Sequence, residues 1–343
     1  MSDAVKFGLV GYGTGGRIFH APLIASAGNV EFLGVVTRSA ERRAELAAKR
    51  PTLTAFDDLA ALKAAGAEAV AISTPAATHA AVAKEAIGLG LAVVVDKPFT
   101  LDAASAQEVV DAADAAGVLL SVYQNRRWDS DLLTVRKLIG QGTLGNVRRF
   151  ESRFERWAPD RQVPAAGGGT LLDFGSHLVD QALLLHGPAG RVYAEIRGSG
   201  ELDDDFFVAI HHVNGVESHL WGSWRQAAPG PRFRVSGTTG TYIVNGVDGM
   251  DHQEALLKAG KAPSGLGERW GVEPEHGWGR LYHGPTSAPV PTERGRWDTY
   301  YPAFARAVRG EGPVPVDPAD VVRNMAVLDA ARESARTGNA VRL

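Results

Sequence analysis

Asp173 and His177 stand four residues apart in Gly167-Gly168-Gly169-Thr170-Leu171-Leu172-Asp173-Phe174-Gly175-Ser176-His177-Leu178-Val179-Asp180, a spacing that stacks two side chains on one face of a helix. A carboxylate beside an imidazole fixes the ring's tautomer and raises its basicity, which is what a general base requires. The same spacing also describes a surface ion pair worth only about 0.3–0.5 kcal/mol. Two features favour chemistry: both residues lie among apolar neighbours, and a glycine run opens the helix, letting other groups approach closely.

A second pattern concerns phosphate. Gly11, Gly13 and Gly16 follow a short apolar run and give the spacing G-x-G-x-x-G. The first glycine permits a tight turn, the second lets backbone approach a pyrophosphate, and the third lets helix and strand pack closely. N–H groups at the start of the following helix then face the phosphates. Tyr12, Thr14 and Arg17 fall on the same turn. The next strand, Glu31 to Val36, ends in Thr37-Arg38-Ser39, with Arg42 and Arg43 one helical turn further on. An NAD-specific fold usually places a carboxylate at this point for the ribose 2′-hydroxyl. Here there is none, and guanidinium groups fork onto phosphate oxygens, so NADP is expected over NAD.

Further candidates stand where later strands end. Ala69 to Ser73 runs into Thr74-Pro75-Ala76-Ala77-Thr78-His79, where Thr78 is expected to cap a helix from His79 to Gly88. His79 is read equally as a helix-start contact or a surface histidine. Ala92 to Val95 ends in Asp96-Lys97-Pro98. A lysine at the carboxyl end of a parallel strand points to where such sheets bind ligands, although position and residue type alone favour a surface lysine. Asn125, on the segment leaving the last strand of this region, completes the candidate cofactor contacts.

These residues need a framework. Strand and helix patterns alternate to Tyr123, which predicts an α/β Rossmann domain over 1–125. Pro22, inside the first helix, predicts a kink or restart near Ala21. Asp129 is expected to cap a helix through Ile139. Beyond it, Val147 to Trp157, Val192 to Gly198, Phe206 to Val213, Val216 to Trp224, Phe233 to Ser236 and Thr241 to Asn245 read as strands. The second domain, 126–343, is therefore expected to be α+β with a large, mostly antiparallel open sheet. Asn214-Gly215 predicts a two-residue hairpin loop that sets His212 opposite Glu217 and His211 opposite Ser218. These histidines have no third partner at metal-ligand spacing, so no metal is expected. Gly246 to Arg296 shows little periodicity, and Asp298 to Arg309 and Pro318 to Arg336 read as closing helices.

Composition narrows the function classes. The chain has 343 residues, 45% hydrophobic and 22% charged, with a net charge of -3 and no cysteine. Such a balance gives no reason to expect nucleic acid or an anionic membrane as partner. Disulfides, thiolate zinc sites and cysteine nucleophiles are excluded. The first strand begins almost at Met1, and Asp3 stands where a signal peptide's basic region would lie. A cytoplasmic protein is the expectation.

Taken together, Gly11-x-Gly13-x-x-Gly16, Thr74-Pro75…His79, Asp96-Lys97-Pro98 and Gly167-Gly168-Gly169…Asp173…His177 resemble the glucose–fructose oxidoreductase / inositol dehydrogenase (Gfo/Idh/MocA) family of NAD(P)-dependent sugar and cyclitol dehydrogenases. The resemblance covers essentially the whole chain. Phe19-His20-Ala21-Pro22-Leu23-Ile24 and Val122-Tyr123-Gln124-Asn125-Arg126-Arg127-Trp128-Asp129 look like the NADP-dependent scyllo-inositol dehydrogenase group within it. Two departures are Asp96, in place of the usual Glu, and the short segment Ala158 to Ala166, which lacks that group's Trp-Arg-Glu. The resemblance implies that Lys97, Asp173 and His177 are catalytic and that a secondary ring hydroxyl on a small polyol, cyclitol or sugar is interconverted with a ketone. It also implies a homodimer or homotetramer built through the second-domain sheet. Arg153, Glu155, Arg156 and Trp157, with Tyr282 and His283, are the candidates for substrate hydroxyls. The same fold also serves reductases of aldoses, dihydrodiols and bilins, redox-assisted glycosidases and NADP-sensing regulators. A sensor has no use for all three catalytic positions.

Overall fold

A computed structural model describes residues 4–160, 168–198, 202–245 and 251–343. The chain forms two compact units. The first comprises 1–124, 256–267 and 297–322, the second 125–255, 268–296 and 323–343. The sequence-based division at 125/126 put the two returning segments in the second domain. Packing explains the place of 297–322 in the first: Tyr300, Tyr301 and Phe304 are fully buried there, and Tyr301 and Phe304 set their rings 5.4 and 6.1 Å from Phe7; in 256–267, Ser264 N donates to Ser26 Oγ at 3.3 Å.

In the first unit, β1 (Val5–Val10), β2 (Val30–Val36), β3 (Thr54–Phe56), β4 (Ala69–Ile72), β5 (Ala92–Val95) and β6 (Leu120–Val122) form one sheet in the order β3-β2-β1-β4-β5-β6. Every neighbouring pair is parallel. β4 and β5 are buried at every position, as their unbroken apolar runs require of strands covered on both faces. This order reverses direction between β1 and β4, so the carboxyl ends of β1, β2, β4 and β5 converge where such folds bind ligands. The restart expected at Pro22 is present: a π-helical stretch, Gly15–His20, passes into the α-helix Ala21–Ser26.

In the second unit, β7 (Val147–Glu155), β8 (Ala189–Arg197), β9 (Asp205–His212), β10 (Glu217–Ser223), β11 (Phe233–Gly237), β12 (Thr241–Val244), β13 (Gly279–His283), β14 (Thr286–Val290) and β15 (Val341–Arg342) form a sheet in the order β14-β13-β12-β11-β7-β10-β9-β8-β15. Only β7 and β10 pair in parallel; the remaining neighbours are antiparallel. Burial alternates strictly along β9, the signature of a sheet covered on one face. The helix Ser176–His186 covers that face, placing His177 and His186 against Phe154 and Phe150.

Three expectations are corrected. The β9–β10 turn is a three-residue loop: His212 N donates to Val216 O at 2.9 Å, Gly215 N donates to His212 O at 2.9 Å, and Gly215 has φ +86°. A turn through Val213 and Asn214 followed by a left-handed glycine absorbs one extra residue, so Glu217 faces His211 and Ser218 faces Ile210. Asp129 precedes the helix Ser130–Gly140 without capping it; its carboxylate lies 3.3 Å from Arg126 Nη1 instead. Finally, the region read as aperiodic contains β13 and β14, whose largely exposed positions carry no apolar alternation.

Candidate active site

The glycine turn at the end of β1 is explained residue by residue. Gly11 has φ +93°, and a Cβ there would lie 2.3 Å from the Ser73 carbonyl oxygen; a Cβ on Gly16 would lie 2.2 Å from the Gly11 carbonyl oxygen. A Cβ on Gly13 would meet nothing within 4 Å. Two glycines thus answer contacts inside the protein, and the third leaves bare, exposed backbone where a pyrophosphate approaches in this fold. Tyr12 is buried beneath the turn and Thr14 is exposed on it. Gly15, outside the fingerprint, is equally constrained, since its Cβ would stand 2.6 Å from Ser73 Oγ and 3.2 Å from Asp96 Oδ2.

At the end of β2, Arg38 and Ser39 are exposed, and Arg38 makes no ion pair among the described residues. Thr37 N donates to Phe56 O at 3.1 Å. Ser39 Oγ accepts from Arg42 N at 3.3 Å and caps the helix Ala40–Lys49. Glu45 gathers Arg17, Arg42 and Lys49 at 2.6, 2.9 and 2.8 Å. Hydrogen bonds from Lys49 and Arg17 lead in lowering its carboxyl to a pKa of about 2. Three cations around one carboxylate leave a positive surplus. Arg43 is engaged elsewhere, donating to Thr37 O and Phe56 O at 2.9 and 3.1 Å and so tying β2 to β3.

At the ends of β4 and β5, Ser73 Oγ donates to Asp96 Oδ2 and Lys97 N to Asp96 Oδ1, each at 2.8 Å. The Lys97–Pro98 peptide bond is cis. His79 is not a surface group: it is 1% exposed, with Nδ1 2.9 Å from Pro98 O and Nε2 2.8 Å from Thr74 O. It is a strut joining the two strand ends. Thr78 Oγ1 donates to Pro75 O at 2.7 Å and pairs with Thr74 Oγ1, so it leaves the helix His79–Gly88 uncapped by its side chain. Pro75 itself is exposed.

In the second unit, Asp173 lies on a π-helical turn, Leu171–Gly175, that continues as the α-helix Ser176–His186 carrying His177. The widened turn therefore includes Asp173 and ends just before His177, a feature that recurs at functional sites. Asp173 is half-buried, and His177 is 5% exposed with its ring edge-on to Phe154 at 6.1 Å. Asp203, which sequence reasoning missed, anchors the start of this helix: Leu171 N donates to its Oδ2 at 2.5 Å, and Thr170 N to its backbone oxygen at 3.0 Å. Gly169, with φ +94°, makes room for it, since a Cβ there would stand 1.9 Å from Asp203 Oδ1. Gly167, the first glycine of the run, lies outside the described residues.

The candidate substrate residues divide between the two faces of the sheet. Arg153 and Glu155 lie on the face opposite Phe154, where Arg153 pairs with Glu151 at 2.9 Å and stacks 3.8 Å from the Trp221 ring, and Glu155 accepts from Gly230 N at 2.7 Å. Alternation along β7 thus separates them from His177. Arg156 sits on the His177 side, its guanidinium 5.5 and 5.3 Å from the rings of Phe174 and Trp224. Trp157 is 60% exposed and forms a bridge with Arg225. Tyr282 and His283 lie on β13, towards the sheet's far edge. Asn125 is buried and opens the short turn Asn125–Trp128.

Beneath His177 runs a buried polar network. Gln181, one helical turn beyond His177, donates to Arg126 O at 3.1 Å and accepts from Arg232 Nη2 at 2.8 Å. Arg232 and Arg126 place their guanidinium carbons 4.3 and 4.8 Å from the Phe154 ring centre, and Arg127 grips Asp180 with two bonds of 2.8 and 2.7 Å. Repeating the four-residue step from His177 to Gln181 is the sequence signal that marks this network. Further in, Asp129, Asp131 and Asp251 bring carboxylate oxygens within 4.8 Å of one another. A neighbouring cavity of about 10 Å³, lined by Asp131, Asp251, Glu273 and Thr292 among others, is far too small for a substrate.

No helix among the described residues is long and apolar enough to cross a membrane. Comparison with known proteins agrees with the geometry. Residues 5–124 match the oxidoreductase family with an NAD-binding Rossmann fold, and residues 132–243 match the GFO/IDH/MocA C-terminal domain. The chain is 31% identical to scyllo-inositol 2-dehydrogenase (NADP(+)) IolW of Bacillus subtilis, over 99% of this chain and 96% of that protein. It is 36% identical to the oxidoreductase YdgJ of Escherichia coli, over 98% of both. The solved structure of the oxidoreductase YvaA of Bacillus subtilis superposes with a TM-score of 0.92 at 31% identity, covering 99% of this chain and 100% of that one. With a parallel NAD-binding sheet, a second unit built on a mostly antiparallel sheet and both family segments matched in order, the chain belongs to the Gfo/Idh/MocA family of oxidoreductases.

Proposed function

We propose that this chain is an NADP-dependent dehydrogenase that interconverts a secondary ring hydroxyl and a ketone on a cyclitol or sugar. The observation that carries the reading is a half-buried Asp173 and a nearly buried His177 four residues apart on one helix, in a chain whose Lys97 ends a parallel strand. The name of IolW, an NADP(+)-dependent scyllo-inositol 2-dehydrogenase, supports the substrate class. Gly11, Gly13 and Gly16 suit the pyrophosphate, and Thr37, Arg38 and Ser39, beside the cations around Glu45, suit a 2′-phosphate. When bound, the nicotinamide supplies the acceptor or donor of hydride.

The chain's own residues handle the proton and the charge. His177, oriented by Asp173, takes the hydroxyl proton. The Lys97 ammonium hydrogen-bonds the same oxygen and stabilises the alkoxide charge that develops on it. Arg156 and Trp157 are the remaining candidates for the substrate's other hydroxyls. Homo-oligomer contact is assigned to the sheet face bearing Phe207, His219 and Trp221.

The test is absorbance at the NADPH band across inositols, pentoses, hexoses, lactones, dihydrodiols and bilins, with NADP and NAD in parallel. A cyclitol or sugar should turn over, and NADP should be favoured by about 10–100-fold, the worth of one or two charged hydrogen bonds. Turnover confined to dihydrodiols or bilins, or equal use of the two cofactors, refutes the reading.

A further inference from the structure

We propose that His20 is a positioning residue of the dinucleotide site: it holds the Asp96 carboxylate beneath the glycine turn and against the Lys97 amide, and Tyr301 holds His20 in turn. The inference rests on the reading that this site binds NADP. His20 is fully buried; its Nε2 lies 3.0 Å from Asp96 Oδ2, and its Nδ1 lies 2.5 Å from the Tyr301 hydroxyl. Hydroxyl, imidazole and carboxylate thus stand in a row, with Nδ1 against the Tyr301 hydroxyl and Nε2 at ion-pair distance from Asp96. The Tyr123 ring packs on His20 with centres 4.3 Å apart, so the imidazole has little room to turn. At the far end, Asp96 accepts from Ser73 Oγ and Lys97 N. Gly15 lies so close that a Cβ there would stand 3.2 Å from Asp96 Oδ2.

The charge of Asp96 depends on this line. Burial is the largest influence and pushes its carboxyl up, but His20, by field and hydrogen bond, with His79 and Lys97 beyond, holds it well below the usual carboxylate range. Tyr123 and Tyr301, the other titratable groups packed around it, are pushed far above the ordinary phenol range, by burial foremost, and stay neutral. Without His20, the burial of the Asp96 charge is opposed more weakly. A carboxyl held low in the folded state contributes stability that is lost as pH falls through its folded pKa.

The experiment is a double-mutant cycle in NADPH Kd over wild type, H20N, D96N and H20N/D96N. H20N should raise Kd by about 10-fold in the wild-type background and by less than about 2-fold in the D96N background, where the imidazole has no carboxylate to hold. Equal losses in the two backgrounds overturn the inference, since a purely packing role does not depend on Asp96. If H20N fails to fold, Y301F and Y301F/D96N close the same cycle, with a loss of about 3-fold in the first background that disappears in the second. Wild-type protein that binds no NADPH, with His20 and Asp96 still coupled in apo melting temperature, refutes the cofactor reading and leaves the coupling of His20 to Asp96 standing.

Discussion

Glu45 accepts from Arg17, Arg42 and Lys49, so Arg42, one of the arginines expected to meet a 2′-phosphate, already has a carboxylate partner, while Arg38 stands exposed at the strand end. Arg38→Ala should therefore weaken NADP(H) binding by about 10–100-fold and NAD(H) binding by less than 3-fold, read as Kd by fluorescence titration. Equal losses would remove the 2′-phosphate assignment. His177→Ala should lower kcat by about 10²–10⁴-fold with NADPH Kd within 2-fold of wild type; turnover that barely changes would show that another group moves the proton. Residue types and spacings carried the turn glycines, Asp173 and His177 into view before any coordinates, and the family resemblance added Lys97. They did not reveal Asp203, which comes from a distant strand start to hold Leu171 N, because a tertiary contact leaves no local spacing. They also misjudged Arg153 and Glu155, chosen for polarity, which alternation along β7 turns to the other face.

The elements show the same division between local and tertiary information. Buried strands β4 and β5, the break at Pro22 and the alternation along β9 are period and proline effects, and these were legible. The hairpin register was not, because Asn-Gly serves both a two-residue turn and a three-residue turn ending in a left-handed glycine, and only pairing decides between them. β13 and β14 escaped because edge strands exposed to solvent need no apolar alternation. The glycine turn yields a prediction that separates folding from binding. Gly16→Ala drives a Cβ to 2.2 Å from backbone and should cost about 1–3 kcal/mol, visible as a lower melting temperature. Gly13→Ala meets nothing, so its melting temperature should stay within about 2 °C of wild type while NADPH Kd rises at least about 10-fold. A Gly13→Ala variant that binds normally would show that no phosphate approaches there.

For the molecule as a whole, composition gave two domains and no more. It could not show that 256–267 and 297–322 rejoin the first unit, since tertiary contacts recruit them, in 297–322 the burial of Tyr300, Tyr301 and Phe304. Assembly should depend on the sheet face carrying Trp221, so Trp221→Glu should shift sedimentation towards monomer; an unchanged species would place the contact elsewhere. Stability should carry the mark of the buried carboxyls in the second unit. Burial first, then the charges of Asp251 and Asp131, raise Glu273 to a pKa of about 7 against an ordinary 4.5, and burial likewise raises Asp129 and Asp131. The guanidinium groups of Arg126 and Arg232 oppose this charge without neutralising all of it. Because the folded pKa of Glu273 lies above its unfolded value, its contribution is complete below about pH 4.5 and is lost as pH rises through about 7. The melting temperature should accordingly fall between pH 5 and 8.5. Glu273→Gln, which keeps the shape and removes the titration, should flatten that fall by on the order of 2 kcal/mol, or about 4–8 °C. A variant whose curve runs parallel to wild type would mean that the cluster is already neutralised, by protons retained on Asp129 and Asp131 throughout that range.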